Sequence, residues 1–145
     1  MGVVCIFLRE RILGGIVINT GVYDYIDVLG KAADASWVRN EVITNNISNQ
    51  DTPGYKRQDV QFDDILAREL RANRYMDLDK AVSNVDLNRI SGRIYTDSVN
   101  YSYRIDGNNV DPDTENVELA SNQIKYNAIA DSISQEFERL KAVIK

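Results

Sequence analysis

The sequence predicts a mainly α fold: two long terminal helices paired as an antiparallel, coiled-coil-like domain, with a short, partly extended β-like middle segment. Three observations carry this. A heptad-like stripe runs from Val22 to Ile47, a second helical pattern starts at Asp111-Pro112 and continues to the chain end, and the residues between them keep no sustained helical period. With 145 residues, 43% of them hydrophobic and 27% charged, the chain has room for one domain or two very small ones and is neither disordered nor membrane-like by composition.

Residues 1–18 read as a doubtful leader. Their two apolar runs, 2–8 and 12–18, are split by Arg9, Glu10 and Arg11, whereas a membrane span needs about 20 predominantly apolar residues. The charges interrupt the apolar run instead of preceding it, which is wrong for a secretory signal. Gly14-Gly15 is what a ribosome-binding site encodes when read as protein, and Val17 is then a candidate start.

Residues 19–57 read as a helix and the turn that ends it. Val22, Ile26, Leu29, Ala33, Ser36, Asn40, Ile43 and Ile47 recur at alternating spacings of four and three, with Asp24, Asp27, Lys31, Asp34 and Glu41 on the opposite side. Ser36 and Asn40 interrupt the stripe as polar residues, read as a small or wet contact in preference to a register-setting role. Asn49, Asp51, Pro53 and Gly54 supply turn chemistry and stop the helix near Ser48 to Gln50.

Residues 58–110 form an irregular middle. Phe62, Ile65, Leu66 and Leu70 predict a short amphipathic helix from Phe62 to Arg71, and Asp77 to Arg93 shows no period. Alternation from Ile94 through Tyr95, Val99, Tyr101, Tyr103 and Ile105 predicts a strand or hairpin, strongest over Tyr101–Ile105 and closed by Asp106-Gly107.

Residues 111–145 form the last helix. Asp111 suits the N-cap and Pro112 the first helical position, and Asp113, Glu115 and Glu118 favour the positive end of the helix dipole. At 1.5 Å per residue the helix is about 48 Å long. It carries two stripes. Leu119, Gln123, Tyr126, Ala130, Ile133, Phe137, Leu140 and Ile144 are read as packing on the first helix, and Val117, Ala120, Ile124 and Ala128 lie roughly opposite. A helix apolar on two sides needs two partners, so the pattern points to assembly.

Several chemistries are excluded. The chain has no His and one Cys, which removes His-based triads, His-containing zinc sites and intramolecular disulfides. Its net charge of -5 argues against nucleic-acid binding, and nothing suggests direct lipid binding. Asp106-Gly107-Asn108-Asn109-Val110-Asp111 is rich in oxygen donors but fails as a calcium loop, with Asp111 where Gly is required and Val117 where a bidentate Glu is required. Lys56-Arg57 reads as a solvated pair, and Arg68, Arg71 and Arg74 as a surface face neutralised by Asp63, Asp64 and Glu69. No phosphate loop, nucleophile elbow or carboxylate dyad emerges, so neither catalysis, a metal nor a cofactor is expected.

Two segments carry a specific resemblance. The run Asn45-Asn46-Ile47-Ser48-Asn49-Gln50-Asp51-Thr52-Pro53-Gly54-Tyr55-Lys56-Arg57, at the end of an amphipathic helix, resembles the signature of bacterial flagellar rod and hook proteins. Asp106 to Asp111, followed by Glu115, Leu119, Asn122 and Tyr126, is similar to the C-terminal signature of the same family. The resemblance spans about residues 20 to 145. It implies paired terminal helices that stack into a tube, and, because the chain lacks a large middle domain, a structural place in the proximal rod that transmits torque to the hook. It also implies export through the flagellum's own type III channel without a cleaved signal. The implied partners are further copies of the chain, other rod subunits, the inner-membrane ring with its adaptor protein, and the export apparatus. On this resemblance Asn45, Asn46, Asn49, Asp51 and Thr52 hold the turn, Pro53-Gly54 and Tyr55 set its exit, and Asp106 to Asp111 does the matching job before the last helix. The alternative is a soluble helical adaptor or export chaperone.

Overall fold

A computed structural model describes residues 21–72, 77–97 and 107–144. The doubtful leader and the Tyr101–Ile105 strand prediction, together with Val99, Asp106 and Arg74, lie outside the described residues.

Helix α1 spans Gly21–Ser48, within a residue of the expected start and stop. Strand β1, Gln58–Gln61, follows the turn and leads into α2, Asp63–Ala72, the expected short helix. A one-and-a-half-turn helix α3, Leu78–Ser83, and strand β2, Arg93–Thr96, complete the middle, and α4, Pro112–Ile144, is the long terminal helix. The two strands pair antiparallel, with Gln58 opposite Thr96 and Gln61 opposite Arg93.

Helices α1 and α4 run antiparallel. Asn46 meets Glu115, Arg39 meets Glu118, and the Asn122 amide donates to the Ser36 carbonyl at 2.8 Å, so numbers fall on one helix as they rise on the other. Ser36 is buried and its carbonyl anchors α4, which gives this polar interruption of the stripe a contact of its own. The other side of α1 covers the middle: Ala35 joins Phe62 and Ile90, with Ala32, Leu66 and Val85 against them. So α1 is apolar or small on two adjacent rows, one for α4 and one for the middle.

Two expectations need correction. The seam of α4 contains Leu119, Tyr126, Ile133 and Leu140, as read, but Gln123, Ala130, Phe137 and Ile144 are exposed; Glu115, Asn122, Ile129 and Glu136 take the alternate positions. Counting apolar residues shifted half the stripe by one, because Glu115 and Asn122 are buried polar groups with dedicated partners. The region 77–93 is likewise not wholly irregular. α3 buries Ala81 and Val82, yet six residues are too few to show a helical period. β1 was missed because its buried residue is Asp59, so its pattern carries no apolar alternation.

A candidate terminal clamp

The end of α1, the turn after it, β1 and the start of α4 converge on a buried polar cluster. Asn46 is at its centre, fully buried. Its amide nitrogen donates to the Gln58 carbonyl at 2.7 Å and to Glu115 Oε2 at 3.0 Å. Its carbonyl oxygen accepts from the Gln58 N–H at 3.0 Å and from the Tyr55 hydroxyl at 3.2 Å. One side chain thus ties α1 to β1 and to α4.

The turn itself is held from the other end of the chain. Asn108, also fully buried, directs its amide nitrogen at the carbonyls of Asn49, Gln50 and Thr52, at 3.1, 2.9 and 3.1 Å. Its own oxygen accepts from the Val110 N–H at 2.8 Å, and Val110 is buried. Three carbonyls of the turn that follows α1 therefore share a side-chain donor from far away in sequence. Next to it the Asn109 oxygen accepts from the Arg57 N–H at 2.7 Å, and Lys56 Nζ donates to the Gly107 carbonyl at 2.8 Å.

Of the turn residues, Asn49 caps backwards onto the Asn45 carbonyl at 2.8 Å and accepts from the Thr52 hydroxyl at 3.2 Å. Asn45, Asp51, Thr52 and Pro53 are exposed, so their side chains shape the turn at its surface. Gly54 and Gly107 have φ of 72° and 79°, and a Cβ on Gly107 would lie 4.0 Å from the Gly54 Cα. Both turns need left-handed backbone, and they face one another. Gly54→Ala is expected to destabilise the fold by roughly 1–2 kcal/mol through backbone strain alone, since no atom crowds the new methyl; the urea midpoint measures it. Asp111 caps α4 as expected, accepting from the Asp113 N–H at 3.2 Å and the Thr114 hydroxyl at 2.6 Å. The Thr114 hydroxyl, helped by the two backbone amides and only partly opposed by desolvation, holds the Asp111 carboxyl below its ordinary value.

Around this clamp lies an ion cluster that hydropathy did not reveal. Arg57 Nε donates to Glu115 Oε1 at 2.5 Å, and Glu115 is only 1% exposed. Arg57 also reaches Asp59 at 3.4 Å, Asp59 accepts from Arg39 Nε at 3.0 Å, and Arg39 Nη2 donates to Glu118 at 2.9 Å. Burial pushes both guanidinium groups down, but bonds and charge from Glu115 and Asp59, and from Asp59 and Glu118, outweigh it and leave Arg57 and Arg39 raised. Lys56-Arg57 is therefore not a solvated pair: both side chains are committed to the clamp. Glu115, read as a dipole acid, is the buried anchor of α4. It lies four residues before Leu119 and seven before Asn122, so a stripe extended back from Leu119 is the signal that could have found it where polarity did not.

Burial pushes the Asp59 carboxyl up, yet the Arg39 hydrogen bond, the Val60 N–H and the charges of Arg39 and Arg57 hold it below its ordinary value of 3.8. A depressed carboxylate contributes stability above its unfolded value and loses it as pH falls through the folded one. The melting midpoint should be insensitive to Asp59 between pH 7 and 5 and drop below about pH 4. Asp59→Asn should melt lower at pH 7 and show a shallower acid limb.

Among the described residues no group of His, Cys, Asp and Glu could hold a metal ion. The carboxylates of the cluster are each engaged by a guanidinium, and the arrangement is one of mutual positioning.

Known proteins match this chain in sequence. Residues 26–56, most of α1 and the turn, match the family described as flagella basal body rod protein. The chain is 38% identical over 120 residues to the flagellar basal body rod protein FlgB of Bacillus subtilis (strain 168), an overlap of 82% of this chain and 92% of that protein. The chain belongs to the flagellar basal body rod protein FlgB family. It is also 33% identical over 128 residues to the FlgB of Borrelia hermsii, covering 83% of this chain and 95% of that protein. Against the FlgB of Escherichia coli (strain K12) it is 29% identical over 114 residues, covering 74% and 83%. In this member of the FlgB family, the family match ends at Lys56, within the turn that Asn108 holds from the far end of the chain.

Proposed function

We infer that this FlgB-family chain is a structural subunit of the proximal rod of the bacterial flagellar basal body, part of the shaft that carries torque from motor to hook. Family membership supports the rod role, and the observation that carries the mechanism is the clamp: both terminal signatures fold into one buried polar cluster. A shaft subunit needs its two terminal helices fixed in register, and interlocking hydrogen bonds specify register more sharply than apolar packing, which tolerates sliding. On this reading Asn45, Asn46, Asn49, Asp51, Thr52, Pro53, Gly54 and Tyr55 form one half of the clamp, and Gly107 to Asp111 the other.

The exposed stripe of α4 fits assembly. Val117 and Ile124 are 69% and 72% exposed, with Ala120 and Ala128 between and beyond them, and they lie opposite the α1 seam. We assign this face to contacts with other rod subunits, with the inner-membrane ring and its adaptor as axial neighbours and the flagellar type III apparatus as the export route. No helix among the described residues is long and apolar enough to cross a membrane. The role is structural and requires no cofactor. Deleting the gene is expected to abolish swimming and hook–basal bodies, with the wild-type gene restoring both. A deletion strain that swims normally would reject the assignment.

A further inference from the structure

Helix α1 carries a glycine, Gly30, that no contact among the described residues explains. Glycine in a helix interior is a standing cost relative to alanine, and a Cβ built on Gly30 meets nothing within 4 Å. No turn, positive φ or close intramolecular approach requires it. What the missing side chain leaves is the floor of a groove of about 460 Å³, lined by Ile26, Gly30, Leu87 and Ile133 with Asp27, Lys31 and Asp34 on its rim. Asp27 and Asp34 are exposed, so the rim is net acidic around an apolar floor.

The complementary feature is on the same chain. Val143 and Ile144, in the last turn of α4, are 83% and 78% exposed, and Lys141 in that turn is exposed as well. Arg139 is bonded to Glu136, so among the described residues of that turn Lys141 is an exposed cation beside the two apolar side chains, with Glu138 one turn before it. Other exposed apolar sites match less well: Trp37 lies between Asp34 and Glu41 on α1, and Phe137 between Glu136 and Glu138, so each would bring acids to an acidic rim.

We propose that the Gly30 groove receives the C-terminal turn of α4 from a second copy of this chain, with Val143 and Ile144 over Gly30 and Lys141 between Asp27 and Asp34. Groove and tip are different surfaces, so the contact is head to tail, the kind that builds rings or open filaments instead of two-fold pairs. The inference rests on the rod-subunit reading for the expectation that copies meet.

Sedimentation of the full chain over a concentration series tests it. Gly30→Leu, which fills the groove with the chain's own side chain, should weaken self-association by about tenfold or more, while the melting midpoint stays level or rises, because leucine is the better helix former. Asp34→Lys and Lys141→Glu should each weaken association about two- to fivefold, and the two together should restore it. The proposal is overturned if the wild-type chain stays monomeric at millimolar concentration, if Gly30→Leu associates normally, or if the paired charge reversal is no better than its worse single member. Should Gly30→Leu weaken association while Val143→Ser with Ile144→Ser does not, another segment fills the groove and the tip is not its occupant. Restoration of swimming by a Gly30→Leu gene would overturn the groove contact and leave the rod assignment standing.

Discussion

Glu115→Ala should lower the stability of this protein by about 3–5 kcal/mol, the cost of removing one partner from a buried ion pair. The carboxylate is 1% exposed, and it accepts from Arg57 at 2.5 Å and from Asn46 at 3.0 Å. Its loss strands a guanidinium that is itself mostly covered, with Asp59 at 3.4 Å as remaining compensation. Typical domains are stable by about 5–15 kcal/mol, so the urea midpoint should fall by roughly a fifth at the least. The comparison that isolates burial is Lys125→Ala, which breaks a pair of similar length, 2.7 Å to Asp63, between side chains 42% and 72% exposed. That variant should lie within about 1 kcal/mol of wild type. Replacing Arg57 and Glu115 together by leucine should recover a large part of the loss, since a buried pair exchanged for apolar groups is often close to neutral. Equal effects from the buried and the exposed pair would show that the clamp contributes no more than a surface contact.

Asn46→Ala is the second large effect, at about 2–4 kcal/mol. The substitution removes both donors and the acceptor of a fully buried amide and leaves the Gln58 N–H and C=O without those partners. A buried polar group left unpaired costs about 1–3 kcal/mol, and relaxation recovers some of it. Asn46→Asp distinguishes bonding from shape. Aspartate keeps the size and the acceptor toward Tyr55 and the Gln58 N–H, but it sets a second carboxylate against Glu115 at the position now bonded at 3.0 Å. At pH 7 Asn46→Asp should therefore be less stable than Asn46→Ala, with the gap narrowing in acid as the carboxylates take up protons. Tyr55→Phe removes the 3.2 Å bond alone and should cost about 0.5–1.5 kcal/mol.

The two long helices were legible because each is long enough to show a period and is bounded by strong signals, the Asp51 to Gly54 turn and the Asp111-Pro112 cap. The clamp was half legible. Turn chemistry marked Asn49 and Gly54 and the cap marked Asp111, but the residues that join the two ends read as something else. Arg57 looked like a solvated cation and Glu115 like a dipole acid, because side-chain polarity suggests exposure until a partner is known. Asn46 and Asn108 were placed in the right motifs with too local a role: each bonds across the fold to the other end of the site. The same blindness displaced half of the α4 stripe, where Asn122 is buried against the Ser36 carbonyl and Phe137 is 47% exposed. Strand β1 escaped for the complementary reason, since its inward residue is Asp59.

The central claim is that the two terminal signatures are one structural unit, and backbone amide exchange in Asn108→Ala tests it most directly. Asn108 belongs to the segment before α4, but its amide serves the carbonyls of Asn49, Gln50 and Thr52. If the unit is real, protection should fall by about tenfold or more across residues 49–58 as well as 107–115, since segments that open together lose protection together. Faster exchange confined to 107–111, with residues 49–58 as protected as in the wild type, would contradict the account.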